Sequence, residues 1–278
     1  MTPDGAHTME LGLTGKNAFV TGGSKGIGLE TARALAREGA NVWIAARRSS
    51  ALAEAAQDIE KTTGRPVRTL RFDVTSLDDI GTLPDFVRGE MGGRIDLLVN
   101  NAGTGIYKPF LEVTEDELLH GMAINFFAQF RICQRIVPLM KEQGGGAIVN
   151  VSGATGIRVT SAPMLSSCTG PAKSAEIRFS KVLATELAPF KIRVNCVVPG
   201  YVYTPERYGL WERTIVKREL SDDEAETERL KWTANQGMLD TRWAEPQELA
   251  DLIVYALSER ASYVNGAVLV ADNAMDKS

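Results

Sequence analysis

Thr21-Gly22-Gly23-Ser24-Lys25-Gly26-Ile27-Gly28 is the stretch on which the fold of this chain turns. An apolar run, Asn17–Thr21 (NAFVT), leads into it. Beyond it Ile27, Leu29, Ala32, Leu35 and Ala36 recur at helical spacing until Gly39 ends the pattern. Strand, glycine turn and helix in that order make a phosphate site. Glycines let the backbone approach a pyrophosphate closely, and the helix N-terminus offers free N–H groups and a favourable dipole.

Outward from this unit, short apolar runs alternate with helical patterns. Val42–Ala45, Val67–Phe72, Ile95–Val99, Ala147–Val151, Ile192–Val198 and Ala267–Val270 read as further strands. Their continuous apolar character suits strands covered on both faces, as in a parallel sheet. The repetition predicts an α/β fold: a single doubly wound Rossmann-type domain with a central parallel seven-stranded sheet. With 278 residues, 44% of them hydrophobic, the chain suffices for one such core. Residues 1–12 read as a flexible N-terminal tail and 13–278 as the domain. Residues 206–239 follow the sixth strand and are rich in charge (KRELSDDEAETERLK). That segment reads as a substrate lid or as a solvated helical excursion, because ligands bind beyond the carboxyl ends of such strands.

Composition excludes several function classes. A net charge of −4 and a pI near 5.4 supply no basic footprint for nucleic acid or an anionic membrane. No apolar run approaches the ~20 residues of a membrane span, and the first residues lack the apolar core of a secretory signal. The cysteines, Cys133, Cys168 and Cys196, form no CxxC pair, so a reducing, cytoplasmic setting is expected. His7 and His120 are the only histidines, which argues against a metal centre. His120 reads as an ordinary helix residue.

Further motifs follow in a fixed order. Asp73-Val74 stands after the third strand and Asn100-Asn101-Ala102-Gly103 after the fourth. Asn125 lies in a helix, Arg193-Val194-Asn195 leads to Pro199-Gly200, and Val202 and Thr204 come next. Ser262-Tyr263-Val264-Asn265-Gly266 precedes the last strand. Together with TGxxxGxG, these resemble the short-chain dehydrogenase/reductase family over roughly residues 13 to 272. The resemblance implies a bound nicotinamide dinucleotide and a small-molecule substrate. Gly22, Ser24, Lys25, Gly26, Ile27 and Gly28 would cradle the pyrophosphate, and Asp73 and Val74 would meet the adenine. Asn101, Ala102 and Gly103 would line the ribose and nicotinamide side. Lys173 would hold the ribose, and Pro199, Gly200, Val202 and Thr204 would complete the nicotinamide end. It also implies a homodimer or homotetramer through the helices around Asn125 and Lys173, where Phe126, Phe127, Phe130, Ile132 and Phe179 fall.

Charge bears on the cofactor. A carboxylate at the end of the second strand would pair with the 2′-OH of NAD. Here Arg47 and Arg48 stand there, with Lys25 nearby. Guanidinium forks suit a phosphate, so NADP(H) is expected.

The catalytic set departs from the family. Lys173 matches its lysine, but Thr169 stands where its tyrosine proton donor belongs, and no tyrosine lies between Tyr107 and Tyr201. Gly153 falls at the usual serine, with Ser152 as the alternative. Asn125, Ser152, Thr169 and Lys173 are therefore the catalytic candidates. Thr155, Ser166, Ser167, Tyr107, Tyr201 and Tyr203 are substitute donors. Tyr107, Arg158, Met164, Tyr201, Tyr203, Tyr208 and Trp211 fall in segments expected at the substrate, with Phe110 and Leu165 beside them. Three readings stay open. One is an NADP(H)-dependent oxidoreductase that reduces a carbonyl or activated double bond of a small, mostly apolar molecule by a non-standard proton path. Another is a non-redox cyclase, isomerase or dehydratase with structural NADP. The third is an NADP-binding pseudoenzyme.

Overall fold

The computed structural model describes residues 10–159, 165–209, 220–235 and 242–274. Seven parallel strands form one sheet in the order β3-β2-β1-β4-β5-β6-β7. They are β1 (Asn17–Thr21), β2 (Asn41–Ala46), β3 (Arg68–Arg71), β4 (Leu97–Asn100), β5 (Gly146–Val151), β6 (Ile192–Pro199) and β7 (Val268–Ala271). All seven expected strands are present, with ends shifted by one or two residues. The third is shorter than Val67–Phe72 because it is the sheet edge, where Arg68, Thr69 and Arg71 face solvent.

Strand alternation builds two cores. Val20, Ile44, Val99 and Val149 point to one face, where α1 (Gly26–Arg37), α2 (Ser49–Thr63) and α8 (Pro246–Leu257) cover them. Phe19, Trp43, Leu98 and Ile148 point to the other. There they meet α3 (Leu77–Glu90), α5 (Ala128–Glu142) and α6 (Thr169–Leu187). α7 (Asp222–Asn235) is the charged helix between β6 and α8.

Between β1 and β4 the connections switch from one side of the sheet to the other, which opens a crevice at the strands' carboxyl ends. α4 (Glu115–Met122) begins with a capping box between Thr114 and Glu117. It passes into α5 through one π-helical turn, Ala123–Phe127, with Asn125 at its centre.

Glu10 to Gly12, the described part of the expected tail, is fastened down. The Leu11 carbonyl accepts from the Glu259 N–H at 3.0 Å, and the Glu10 carbonyl accepts from Arg260 Nε at 2.8 Å. Leu11 packs on the core, so the ordered domain extends to these residues. Within the expected lid, residues 205–209 are helical and α7 follows, while 210–219 and 236–241 lie outside the described residues.

Candidate active site

The glycine turn is held from β4. Asn101 Nδ2 donates to the carbonyls of Thr21 (3.1 Å) and Gly22 (3.3 Å), and its N–H donates to Thr21 Oγ1 at 3.0 Å. Gly28 sits so close beneath that a Cβ there would lie 2.4 Å from the Gly22 carbonyl oxygen and from Asn101 Nδ2. Any side chain would push α1 off the turn. No side chain caps α1, so its first N–H groups remain open to an anion.

Beside this turn lies a cleft of about 700 Å³. Gly22, Ser24, Lys25, Gly26, Ile27, Arg47, Arg48, Asp73, Val74, Asn101, Ala102, Gly103 and Thr204 all line it. Partial burial works against the Asp73 carboxylate. Hydrogen bonds from the Thr75 N–H and hydroxyl nevertheless hold it below its ordinary range, helped by the nearby Arg47 and His120 charges. His120 and Ile124 line the cleft too, although neither stood out in the sequence. A crowded glycine turn, an uncapped helix end and two guanidinium groups at the end of β2 fit a dinucleotide phosphate ligand.

A second cavity of about 250 Å³ shares a wall with the first: Ile27, Asn101, Gly103, Thr104, Thr204 and Glu206 line both. Ser152, Gly153, Thr155, Thr169, Lys173, Pro199, Gly200 and Val202 complete its base, and Tyr107, Tyr201 and Arg207 its outer wall. The Lys173 ammonium is buried, 3.0 Å from Glu176 Oε1 and 3.3 Å from the Val151 carbonyl. Thr169 Oγ1 accepts from the Ile106 N–H at 2.8 Å. Ser152 Oγ donates to the Lys173 carbonyl at 2.9 Å.

Asn125 belongs to the scaffold around this cavity rather than to its lining. Its Nδ2 donates to the carbonyls of Thr104 (3.0 Å) and Gly121 (2.9 Å), and its Oδ1 accepts from the Thr104 N–H at 3.2 Å. Gly103 is wedged between Asn125 and Lys173. A Cβ on it would come within 2.8 Å of Asn125 Oδ1 and 3.2 Å of Lys173 Nζ.

Other candidates are sorted by packing. Arg207 lies over the rings of Tyr107 (5.1 Å) and Tyr201 (5.4 Å), and Arg158 lies beside the Tyr201 phenol. Burial pushes that phenol up to about 12. Tyr203 and Tyr208, expected at the substrate, instead pack against each other with tilted rings 5.1 Å apart, outside the lining, with Tyr203 also against Trp243. Their rings find apolar neighbours in the segment that returns to α8. Phe110 and Leu165 are exposed away from the cavity. Met164 and Trp211 lie outside the described residues. Lys25 is paired across the cleft with Glu206 at 3.1 Å, and Glu206 also accepts from Thr104 Oγ1 at 2.9 Å.

Glu176 was the least visible from sequence. It is wholly buried and accepts from Gln129 Nε2 at 2.9 Å as well as from Lys173. Burial pushes its carboxyl up to about 7, against the opposing pull of the Lys173 ammonium. A charged residue three positions after Lys173, on the same helix face, was the available signal.

A family model for short chain dehydrogenases matches residues 16–213. The chain is 33% identical over 263 residues to 3-oxoacyl-(acyl-carrier-protein) reductase FabG of Chlamydia muridarum, covering 95% of this chain and 98% of that one. L-sorbose reductase from Gluconobacter frateurii, solved with NADPH and L-sorbose, superposes with a TM-score of 0.88 at 32% identity, over 97% of this chain and 100% of the other. A variant of actinorhodin polyketide ketoreductase with NADPH gives 0.86 at 29% identity, over 95% and 98%.

Proposed function

The chain belongs to the short-chain dehydrogenase family, and on that premise we propose that it is an NADPH-dependent reductase of a small carbonyl compound or activated double bond, working without a phenol at position 169. One observation carries this reading. The dinucleotide cleft opens through a shared wall into a second cavity that holds Lys173 and two aromatic side chains. Relatives named as reductases, two of them solved with NADPH, support the same chemistry.

Preference for NADPH over NADH rests on Arg47 and Arg48, which precede an uncapped α2, so that N–H groups and guanidiniums meet at one point. The described lining gives room for a small molecule. Tyr107 and Tyr201 give it apolar walls, and Arg207 gives one cationic end. NADPH held at the glycine turn would supply a hydride, and the product would then need one proton, on oxygen for a carbonyl or on carbon for an activated double bond. Thr169 is an aliphatic alcohol bound to the Ile106 backbone, and Tyr201 holds its proton too tightly at neutral pH. Lys173 is the donor best placed. The aromatic face made by Phe126, Phe130 and Phe179, with ring centroids 5.2 to 6.2 Å apart, is assigned to contact between copies of the chain.

Deuteride tracing tests the reading. Protein given NADPH deuterated at the transferable position and a panel of ketones and 1,2-diketones is expected to yield a labelled alcohol. An unlabelled new product would redirect the assignment to non-redox catalysis. No product, with NADPH binding confirmed, would leave a binding role.

A further inference from the structure

We propose that Glu176 stores the proton that Lys173 delivers, the two side chains acting as one donor across the 3.0 Å contact between Oε1 and Nζ. The destination of that proton rests on the reductase reading; its storage does not.

The geometry is that of a buried pair with one vacancy. α6 places Glu176 one turn beyond Lys173 on the face turned to β5 and α5. Lys173 Nζ and Gln129 Nε2 both converge on Oε1; the Ser152 hydroxyl is near enough to pull on the carboxyl as well, but its hydrogen bond goes to the Lys173 carbonyl, and Oε2 accepts none. The two serine hydroxyls packed here donate to main-chain carbonyls. Ser152 donates its one hydroxyl proton to the Lys173 carbonyl, and Ser180 donates to the Glu176 main-chain carbonyl at 2.8 Å. The Cys196 thiol of β6 is pushed up to about 12 by burial and stays neutral. A bare carboxylate oxygen buried without a donor is unfavourable. A proton on Oε2 removes that cost, and burial accordingly brings the carboxyl up to about 7.

Near neutral pH the pair therefore exchanges between ammonium beside carboxylate and ammonium beside carboxylic acid. From the second form, an Nζ–H bond breaks as the O–H bond of the product forms. A half-turn of the Glu176 carboxyl brings its proton to the amine, and the pair is left as ammonium beside carboxylate. Water in the cavity returns one proton through Nζ. No electron moves within the pair. A lone lysine titrates near ~10.4 and is a weak donor at neutral pH, whereas an acid near working pH is well matched to the task. Glu176 acts through Lys173 and does not itself meet the substrate.

Infrared difference titration of the full-length protein, without substrate, provides the test. Wild type is expected to lose a protonated-carboxyl carbonyl band as pH rises through about 7. Glu176→Gln is expected to lack the band. In Lys173→Met, where the ammonium's pull is gone, it should persist to higher pH. Absence of any such band above the ordinary carboxylate range of ~4–5, or its survival in Glu176→Gln, overturns the proposal. If Glu176→Gln fails to fold, wild type and Lys173→Met alone decide the point. A failed reductase reading leaves this readout intact. With a reducible diketone, kcat of Glu176→Gln at neutral pH is expected to fall ~10-fold or more, with KM little changed, and Glu176→Asp is expected to restore part of it. An unaltered pH profile in Glu176→Gln would equally overturn the assignment.

Discussion

The hydroxyl of Thr169 is tied to the main chain of Ile106: Oγ1 accepts the N–H at 2.8 Å and donates to the carbonyl at 3.3 Å. Thr169 thus fastens the loop after β4 to the start of α6, and so shapes the cavity floor. Thr169→Val removes both bonds while keeping the volume, and leaves the Ile106 N–H unpaired in a part-buried place. A loss of ~1–3 kcal/mol is expected in denaturant unfolding, with Thr169→Ser close to wild type. Equal stability of the two variants would show that the tie contributes nothing.

On the proposed reading that Thr169 and Gly153 stand at the family's tyrosine and serine positions, putting those residues back should supply the ordinary donor. Gly153 has an extended backbone, and the nearest atoms to a Cβ there are Lys173 side-chain carbons 3.9 to 4.0 Å away, so a serine fits without displacement. A phenol at 169 would project into the cavity within reach of Lys173. Thr169→Tyr with Gly153→Ser is expected to raise kcat on simple ketones by ~10-fold or more, since general-acid help is worth ~10²–10⁴. A folded, NADPH-binding double variant that gains nothing would mean that these positions are misassigned.

Arg47 and Arg48 line the cleft at the end of β2 with no carboxylate between them. Arg47→Asp replaces a phosphate donor by a group that repels a 2′-phosphate and suits a 2′-OH. Titration of the variant is expected to show NADPH weakened ~10-fold or more and NADH hardly changed. Parallel weakening of both would remove the charge argument for cofactor choice.

Lys25 complicates that argument, because Glu206 holds it at 3.1 Å across the cleft. Both side chains are nearly half exposed, at 46% and 45%, so the pair is worth ~1 kcal/mol or less. Glu206→Gln should release Lys25 and tighten NADPH by no more than ~5-fold, an effect that added salt should erase. Weaker binding would instead make Glu206 a supporting group of the cofactor site.

Legibility followed the range of the interactions. β1, the glycine turn and α1 are contiguous in the chain, and Gly22, Gly26 and Gly28 report a local backbone demand, so the cleft could be read directly. The strands announced themselves because both faces are covered. Glu176 did not, since its burial depends on how α6 lies against β5 and α5, which no periodicity encodes. His120, which reads as an ordinary helix residue, lines the cleft for a related reason. The π turn at Ala123–Phe127 adds a residue to the helix and rotates the faces before and after it relative to each other, so a 3.6-residue count misplaces them. Tyr203 and Tyr208 lie outside the cavity lining because an aromatic residue near a cleft can as readily pack on its neighbours.

Glu176 also sets a pH dependence of stability that needs no cofactor. In the unfolded chain its carboxyl titrates near the ordinary 4.5, and in the folded protein burial raises it to about 7. Between those values the folded state binds more protons than the unfolded one, so its contribution to stability falls as pH rises through that window and levels off above it. Depressed carboxylates such as Asp73 and Glu248 act in the opposite sense, but they lose their contribution only on acidification below the ordinary range. Among the described residues, Glu176 is the carboxyl raised across the interval from about 4.5 to about 7. Thermal melts across it are expected to show wild type losing stability with rising pH and Glu176→Gln showing a flatter course, since an amide does not titrate. Parallel curves for the two proteins would place the Glu176 proton outside this range and make the pair with Lys173 a permanent ion pair.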